Sequence, residues 1–359
     1  MTISMTLFSV SIWRFRQRAK QPKMKTKNIF PQHHLIVSFL LAVTFQLHAQ
    51  HYPAGSEGIK CATMPPSGFY IDDYNSFYFY NKVPGFGGQG QSGPEQFSYT
   101  QTPRLMWITP WHILDTDFGA AVRIPFVERL YTHSVPYGPP ITTTPFPVYN
   151  YKTVTDSQFG LSDIQVEPLI LAWHLKRFDF VASYSLWIPT GGWNHKNYIF
   201  DNFGQGYWTH SIGFGVTWYL DSEKTWAVSL LNHYDINTKQ YTTSVIVPVS
   251  PSHPLGVASE DTTLGDIYTL EWAISKTVVK GLDVGITGYY QQQVTDTEGP
   301  KLNGPTWNNE KIHVAGIGPE IKGEYAKWGL SGSLRYAYEF SAMDHPQGNL
   351  ITLTITKSF

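Results

Sequence analysis

Apolar and polar side chains alternate along much of the chain, and the last eleven residues, Asn349 to Phe359, show the pattern clearly. The apolar side chains of Ile351, Leu353, Ile355 and Phe359 share one face of an extended chain, interrupted by one lysine, and threonines and a serine occupy the other face. Only a β-strand has this period of two. A half-buried strand of a soluble sheet would alternate in the same way, so the rest of the chain decides which kind of sheet this is.

Twelve segments show the alternation, and turn residues separate each from the next. We predict strands at residues 68–80, 97–110, 116–127, 159–175, 178–189, 207–220, 225–236, 265–277, 282–294, 311–322, 328–340 and 348–359. In several of them large rings occupy the apolar face, and small or ionic residues occupy the other. A soluble sandwich also alternates, but a membrane barrel requires this inversion because its outer face meets lipid and its lumen meets water.

The connections between these segments favour the same architecture. Short and long connections alternate, which is typical of outer-membrane barrels with tight turns at one end and extended loops at the other. The long ones, such as residues 128–158 and 237–264, are too polar and too broken by proline to form another domain, and we predict no strands in them. Outer-membrane barrels characteristically end on an aromatic residue, here Phe359. The sequence therefore predicts an all-β fold, a transmembrane antiparallel up-and-down β-barrel of about 12 strands and of the outer-membrane type.

The amino-terminal part predicts export. Leu35 to Phe45 is an apolar run of eleven residues, too short for a membrane-spanning helix but long enough for a signal-peptide core. Lys25 and Lys27 precede it, and Ala49 follows at a suitable cleavage position. The predicted domains are an extension at residues 1–23 ahead of Met24, which is a better start than Met1, a signal peptide at 24–49, a possible lumen plug at 50–67, and the outer-membrane barrel at 68–359. This organisation places the protein in the outer membrane of a Gram-negative bacterium.

The composition narrows the range of partners. A formal net charge of −1 with 15% charged residues provides no basic surface for nucleic acid. The 12 Trp, 22 Tyr and 21 Phe residues fit the aromatic rims of a membrane barrel. Cys61 is the only cysteine, so no internal disulfide can form. No lipobox precedes Cys61, and we interpret it as a small packed residue rather than a lipid anchor.

No motif predicts a cofactor, a metal site or a catalytic centre. Gly85 to Gly90 fits G-x-G-x-x-G, but a dinucleotide site needs a strand before it and a helix after it, so we interpret it as a loop. The histidines are scattered singly, without the spacing of a metal site. His210 and Ser211 are adjacent and would point to opposite faces of a strand, so they cannot act together. A membrane-embedded hydrolase is therefore the least favoured function, and we expect no enzyme.

Ionisable side chains on the polar faces of predicted strands are the candidate functional residues. They are Asp117, Arg123, Asp163, Glu167, Glu271, Arg335 and Glu339. On the lipid face an arginine or lysine near the midplane would cost roughly 2–4 kcal/mol, so we predict that these side chains line the lumen. Two compatible interpretations stay open: the charges pair with one another and hold a narrow barrel together, or they line a route for a solute.

Several sequence blocks resemble one known family. They are residues 51–60 and 64–70, Phe159 to Ile164 with Glu167-Pro168, Trp187 to Gly191, Gly265-Asp266 before Glu271-Trp272, and Gly288 to Tyr290 with Gln292 to Asp296. Together they extend over nearly all of residues 51–359 and are similar to the family of the MetA pathway of phenol degradation. Cys61 departs from the pattern, which has a small residue without a thiol there. The resemblance implies an outer-membrane transporter barrel, often encoded near genes for degrading aromatic or hydrophobic compounds, and it supplies no catalytic residues.

The barrel and the resemblance lead to one function hypothesis and one open alternative. We expect passive uptake of a small hydrophobic or aromatic solute across the outer membrane. The alternative is a structural or adhesive surface barrel whose outer loops, residues 128–158 and 237–264, bind a partner. In both cases the expected partners are outer-membrane lipid and, through the C-terminal strand, the barrel-assembly machinery.

Overall fold

The computed structural model of the protein is built almost entirely from strands. It describes residues 50–84, 90–113, 115–141, 148–193, 202–247, 256–298 and 311–359. The predicted extension and signal peptide, residues 1–49, lie outside the described residues, as do residues 85–89 of the glycine-rich motif.

Sixteen strands are present in this part of the chain. They are β1 (Gly68–Pro84), β2 (Gly90–Ile113), β3 (Thr116–Arg123), β4 (Phe126–Ile141), β5 (Val148–Leu161), β6 (Ile164–His174), β7 (Phe178–Ile188), β8 (Thr209–Tyr219), β9 (Trp226–Asn237), β10 (Lys239–Val247), β11 (Gly256–Thr263), β12 (Ile267–Val279), β13 (Leu282–Gln293), β14 (His313–Tyr325), β15 (Leu330–Met343) and β16 (Gln347–Ser358). One turn of 3-10 helix, Ala326–Trp328, follows β14. Within the described ranges, no helix has the length and apolar character needed to cross a membrane.

Twelve of the strands close into one antiparallel barrel. Their order around it is β1, β2, β3, β6, β7, β8, β9, β12, β13, β14, β15 and β16, and β16 pairs with β1. The closing pair runs from Tyr70 opposite Ser358 to Tyr80 opposite Gly348 without a register shift. The prediction of a 12-stranded barrel is confirmed, and closure provides partners for backbone groups that lipid could not satisfy.

The two ends of the barrel differ in how their strands are connected. At the short-turn end, the strands are joined within a few residues around Asp115, Lys176, Glu223, Gly281 and Lys327. The opposite end, the long-loop end, carries the longer connections, apart from the short links between β1 and β2 and between β15 and β16. The predicted alternation of short and long connections is therefore present except at these two links, where the strands extend beyond their predicted bounds. Both chain termini of the barrel lie at the short-turn end.

Asp221 holds one of the short turns together. Its carboxylate accepts hydrogen bonds from the backbone N–H groups of Thr225 and Trp226, at 2.8 and 3.0 Å, and one from the Thr225 hydroxyl. These bonds, with the hydroxyl of Thr225 first, lower the pKa of the Asp221 carboxyl below its ordinary value of 3.8. The carboxylate of Asp221 therefore stays charged at neutral pH and accepts these hydrogen bonds in the turn between β8 and β9.

Two of the long connections contain hairpins that the sequence analysis does not predict. β4 pairs with β5 over most of its length, and β10 pairs with β11. β4 also pairs with residues 97–101 of β2, so it continues the barrel wall at the long-loop end. Two predicted strands are therefore too long: the one at 116–127 ends at Arg123, and the one at 159–175 begins at Ile164.

Large apolar side chains cover the outer face of the barrel. On β8, Ile212, Phe214 and Trp218 are about half exposed, whereas Ser211 and Thr217 point inward and are buried. An apolar surface of this extent around a closed barrel is what contact with lipid requires. The outer-membrane type of barrel is thus visible in the distribution of its side chains.

Exposed aromatic side chains form a belt near the short-turn end. The belt consists of Phe69, Trp107, Trp111, Phe178, Trp218, Trp226, Tyr325, Trp328 and Phe359. Phe359 packs on Phe69 of the first strand, with ring centroids 6.0 Å apart, and its N–H donates to the Phe69 carbonyl at 2.9 Å. Aromatic rings prefer the boundary between lipid tails and water, so this belt marks one edge of the membrane span.

Replacing Phe214 with arginine should destabilise the barrel by about 2–4 kcal/mol in lipid, because the new charge would lie near the bilayer midplane. Phe214 occupies the middle of β8 and faces outward. Urea-dependent folding into lipid vesicles, followed by the different gel mobility of boiled and unboiled protein, measures the effect. The matched control is Leu220→Arg at the short-turn end, which should cost only about 0–1 kcal/mol. Equal losses for the two variants would contradict this placement of the lipid face.

Candidate functional site

Residues 50–67 run through the lumen from one end of the barrel to the other. At the long-loop end, the two ring nitrogens of His51 contact Thr209 and Asp163, at 2.7 and 2.8 Å. At the short-turn end, the carbonyl of Pro66 accepts a hydrogen bond from the Tyr70 hydroxyl, at 2.7 Å. These contacts place residues 50–67 along the lumen from the long-loop end to the short-turn end, and their role as a plug stays a prediction.

Glu271 on β12 is the central anchor of this segment. Its carboxylate accepts hydrogen bonds from three successive N–H groups, those of Gly55, Ser56 and Glu57, at 2.8, 3.0 and 2.8 Å. Gly55 has φ +78°, a left-handed conformation that glycine adopts without strain, and it lets the backbone turn its N–H groups toward one point. Hydrogen bonds to a carboxylate are stronger than those between neutral groups. Glu271 thus fixes the middle of the segment.

A second anchor lies on β14 and β15. Arg335 donates to the Ser56 carbonyl at 2.8 Å, and Glu320 accepts the N–H of Ile59 at 2.9 Å. Nη1 of Arg335 lies 3.6 Å from the Glu320 carboxylate. A Cβ atom at Gly58 would collide with the ends of both side chains, so glycine allows the close passage. The sequence analysis predicts Arg335 but misses Glu320.

Two arginines on the opposite wall are also paired. Arg123 donates to the carboxylate of Glu57 at 2.8 Å, so the segment itself supplies this partner. Arg104, which the sequence analysis misses, donates to Glu167 at 2.7 Å and lies 3.9 Å from Asp72. Removing one member of such a buried pair would leave the other charge uncompensated. The Arg123–Glu57 pair therefore ties the segment to the wall, and the contacts of Arg104 join the wall strands β1, β2 and β6.

Asp163 holds the long-loop end, but it does not lie on a strand. It follows β5 and precedes β6, which corrects its assignment to a continuous strand at 159–175. Its carboxylate accepts the N–H groups of Gly191 and Gln205, at 2.9 and 2.6 Å, in addition to its contact with His51. The His51 ring also stacks on Trp187, with centroids 5.5 Å apart. Asp163 therefore connects the start of the segment with the loop between β7 and β8.

Glu339 belongs to a separate set of contacts within the barrel. It accepts hydrogen bonds from the hydroxyls of Tyr78 and Tyr289, at 2.6 and 2.8 Å, and from the N–H of Gly348, at 2.8 Å. These partners come from β1, β13 and β16, so Glu339 links strands across the seam where the barrel closes. Its contacts are with the wall rather than with residues 50–67.

Asp117 lies apart from the other predicted residues, at the short-turn rim. Its carboxylate is 3.0 Å from His112 and 3.5 Å from His174. The other six candidates, Arg123, Asp163, Glu167, Glu271, Arg335 and Glu339, are buried inside the barrel. Their contacts show ion pairs and hydrogen bonds, and a role in a solute route stays a prediction.

A cavity of about 640 Å³ lies between residues 56–66 and the barrel wall. The turn residues Gly281, Ala326 and Gly329 are part of its lining, so it reaches the short-turn end. Its apolar side is formed by Met64, Met106, Ile170, Val181 and Leu231. Its charged side is formed by Glu57, Lys60, Asp72, Arg104, Arg123, Glu167, Asp283, Glu320, Lys322, Glu324 and Arg335. The cavity is therefore amphipathic and has the size of a small-molecule site.

The apolar side of the cavity is unexpected, because the sequence analysis assigns a wet, polar interior to the barrel. Its buried cluster consists of Ala62, Tyr70, Met106, Ile108, Ala121, Ile170, Val181 and Leu231. Cys61 and Met64 pack against this cluster, so the second half of the luminal segment rests on it. The run from Leu105 to Ile108, apolar at every position, is a sequence signal that both faces of β2 are apolar here.

The described part of the barrel shows no group of three or more His, Cys, Asp or Glu side chains placed to hold a metal ion. His210 and Ser211 point to opposite faces, as the alternation predicts. The Tyr184 hydroxyl and Nδ1 of His210 are 2.7 Å apart, while Ser211 is buried inside. His210 and Ser211 therefore cannot form a catalytic pair.

Replacing Glu271 with glutamine should loosen residues 50–67. The amide keeps one acceptor oxygen but loses the charge that three backbone N–H groups share. The single thiol, Cys61, packs against the wall and reports on this change without engineering. Its reaction rate with a small maleimide, measured by mass spectrometry on the folded barrel, should rise by about tenfold or more.

The matched control for this experiment is Glu223→Gln. Glu223 is an exposed carboxylate in the turn between β8 and β9 and does not line the cavity, so its replacement should leave the Cys61 reaction rate unchanged. If Glu271→Gln also leaves that rate unchanged, Glu271 does not anchor the segment.

Known proteins resemble the chain in sequence and in fold. The family described as "Putative MetA-pathway of phenol degradation" matches residues 82–355, so the resembling block at 51–70 lies outside the match. No curated protein matches the chain in sequence. The COG4313 outer membrane channel from Pseudomonas putida F1 superposes with a TM-score of 0.61 and 12% identity over 86% of this chain and 100% of that chain. At this identity the likeness shows the fold alone.

A second solved structure, a Pseudomonas aeruginosa FadL homologue, has a TM-score of 0.36 and 10% identity over 82% of this chain and 91% of that chain. A TM-score at this level is too low to support any conclusion about this chain. The sequence match covers most of the chain, including every barrel strand in whole or in part, and the fold is an outer-membrane barrel. The chain therefore belongs to the family of the MetA pathway of phenol degradation.

Proposed function

We propose that the protein takes up a small hydrophobic or aromatic solute across the outer membrane of a Gram-negative bacterium, through the lumen of the barrel. The amphipathic cavity beside residues 56–66 carries this proposal, since it offers an apolar wall to a solute inside a barrel that faces lipid. The family description, which names phenol degradation, supports an aromatic solute. In this proposal uptake is passive, which means that the solute diffuses through the lumen down its own concentration gradient.

Residues 50–67 act as a plug in this proposal. The contacts to Glu271, Glu320 and Arg335 involve wall side chains, and the segment is not a strand of the sheet. It can therefore shift without breaking the hydrogen bonds that close the barrel. A loosened segment would join the cavity at the short-turn end to the region around His51 at the long-loop end.

The proposal also includes the organisation of the chain into segments. Residues 1–49 comprise the extension and the signal peptide, and cleavage after Ala49 leaves residues 50–67 as the plug and 68–359 as the barrel. The C-terminal strand, which Phe359 follows, is the signal that the barrel-assembly machinery recognises. Short loops and turns at the end that holds Phe359 would then face the periplasm.

Entry of a hydrophobic aromatic probe into intact cells tests the uptake. An outer membrane with lipopolysaccharide excludes N-phenyl-1-naphthylamine, whose fluorescence rises once it reaches the phospholipid. Cells that produce this protein should take up the probe faster than cells that lack it. Glu271→Gln should raise the rate several-fold further, because its segment is less firmly anchored.

The control is again Glu223→Gln, which should match the unmodified protein at an equal amount of folded barrel in the outer membrane. Probe entry that is the same with and without the protein, for both the unmodified chain and Glu271→Gln, would contradict uptake. A structural or adhesive surface barrel would give that result.

A further inference from the structure

His233 on β9 is a buried polar side chain without a hydrogen-bond partner in the part of the chain that the structure describes. Its side chain lines the cavity and is only 7% exposed. Neither Nδ1 nor Nε2 makes a hydrogen bond with a described group. Buried polar groups are nearly always paired, and an unpaired one destabilises the fold. We therefore infer that the imidazole pairs with a molecule bound in the cavity.

The surroundings fix the position of this ring. One face of the His233 ring stacks on Tyr52 of the luminal segment, with centroids 4.0 Å apart and planes at 27°. Gly213 lies opposite His233 in the pairing of β8 with β9. A Cβ atom at Gly213 would collide with Ser183 and approach Cε1 of His233 to 3.1 Å. The ring is thus held in place by stacking and by a close neighbouring strand rather than by hydrogen bonds.

Apolar side chains lie beside His233 in the same cavity. Leu231, two residues away on β9, points to the same inner face, and Ile170 and Val181 extend this wall onto β6 and β7. The cavity volume of 640 Å³ exceeds by several-fold the roughly 150 Å³ that holds one benzene ring. A ring-sized solute therefore has room to place its apolar body on this wall and still reach the imidazole.

The charges around the cavity favour a neutral solute. The two nearby arginines, Arg104 and Arg123, each donate to a carboxylate, those of Glu167 and Glu57. Asp72 adds a third carboxylate 3.9 Å from Arg104, so three carboxylates stand against two guanidinium groups. Both guanidinium groups beside this wall are thus paired, and elsewhere on the lining Lys60 pairs with Asp283 and Arg335 with Glu320.

We propose that His233 recognises the hydroxyl group of a neutral, ring-sized solute whose apolar body packs on the wall formed by Ile170, Val181 and Leu231. A neutral imidazole offers one N–H donor and one acceptor nitrogen, and a hydroxyl group both donates and accepts. A solute of the same shape without the hydroxyl would leave the imidazole unpaired, so the site discriminates between the two. The inference rests on the proposed uptake function and names the class of solute.

Binding of phenol and fluorobenzene to the purified barrel tests this site, because the two rings have nearly the same size and only phenol carries a hydroxyl. Equilibrium dialysis with detergent micelles alone as a blank measures both affinities. His233→Phe keeps the ring that stacks on Tyr52 but removes both nitrogens. Phenol affinity should fall about five- to tenfold in this variant, and fluorobenzene affinity should change less than twofold.

The matched control is His210→Phe, which removes an imidazole from the outer face of β8 and should leave both affinities unchanged. In protein labelled with ¹⁵N-histidine, phenol should also shift the ring nitrogen signals that disappear in His233→Phe. This second readout keeps the test valid if the variant folds poorly.

Equal affinities for phenol and fluorobenzene, with no response of the His233 nitrogens, would overturn the inference and indicate that water alone fills the site. Faster entry of the naphthylamine probe would then leave the uptake function standing. Absence of probe entry together with selective phenol binding would have the opposite meaning, a hydroxyl-recognising site in a barrel that does not transport the probe.

Discussion

The pairing of buried charges between the luminal segment and the barrel wall is the interaction on which the interior depends. The carboxylate of Glu271 accepts hydrogen bonds from three N–H groups of the segment, and Arg123 donates a hydrogen bond to the carboxylate of Glu57. Without residues 50–67 these wall charges would lie in a narrow lumen without those partners, which is unfavourable. These contacts therefore hold the segment in the lumen, and in the proposed uptake they are the ones that must loosen before a solute passes.

The lipid-facing side of the barrel and its closure can be predicted closely from the sequence. A strand at a lipid boundary must alternate with a period of two, and this local pattern places residues such as Phe214 outside and Ser211 inside. The terminal strand likewise closes on the first, because a membrane barrel has no free edge. Local rules suffice here because lipid and water impose them at every position.

The interior follows much less from the sequence, since its partners are far apart in the chain. Gly55 and Glu271 are separated by 216 residues, and no local pattern predicts that one carboxylate will collect three N–H groups. The hairpins β4–β5 and β10–β11 were missed because proline and polar residues hide strands that extend beyond the membrane. Predicting Arg335 while missing Glu320 has the same origin, as the pair forms only when β14 and β15 align.

Reversible tethering of the segment tests most directly whether uptake requires it to move. An ideal Cβ built at Gly215 on β8 lies 2.7 Å from the Cβ of Ala62, 2.9 Å from Leu231 and 3.0 Å from the Leu230 carbonyl. Cysteines at positions 62 and 215 can therefore form a disulfide once these neighbours shift by about 1 Å. In an Ala62→Cys, Gly215→Cys barrel with Cys61→Ser, oxidation should abolish entry of the naphthylamine probe into cells, and reduction should restore it. Equal entry in the oxidised and reduced states would contradict the role of residues 50–67 as a movable plug.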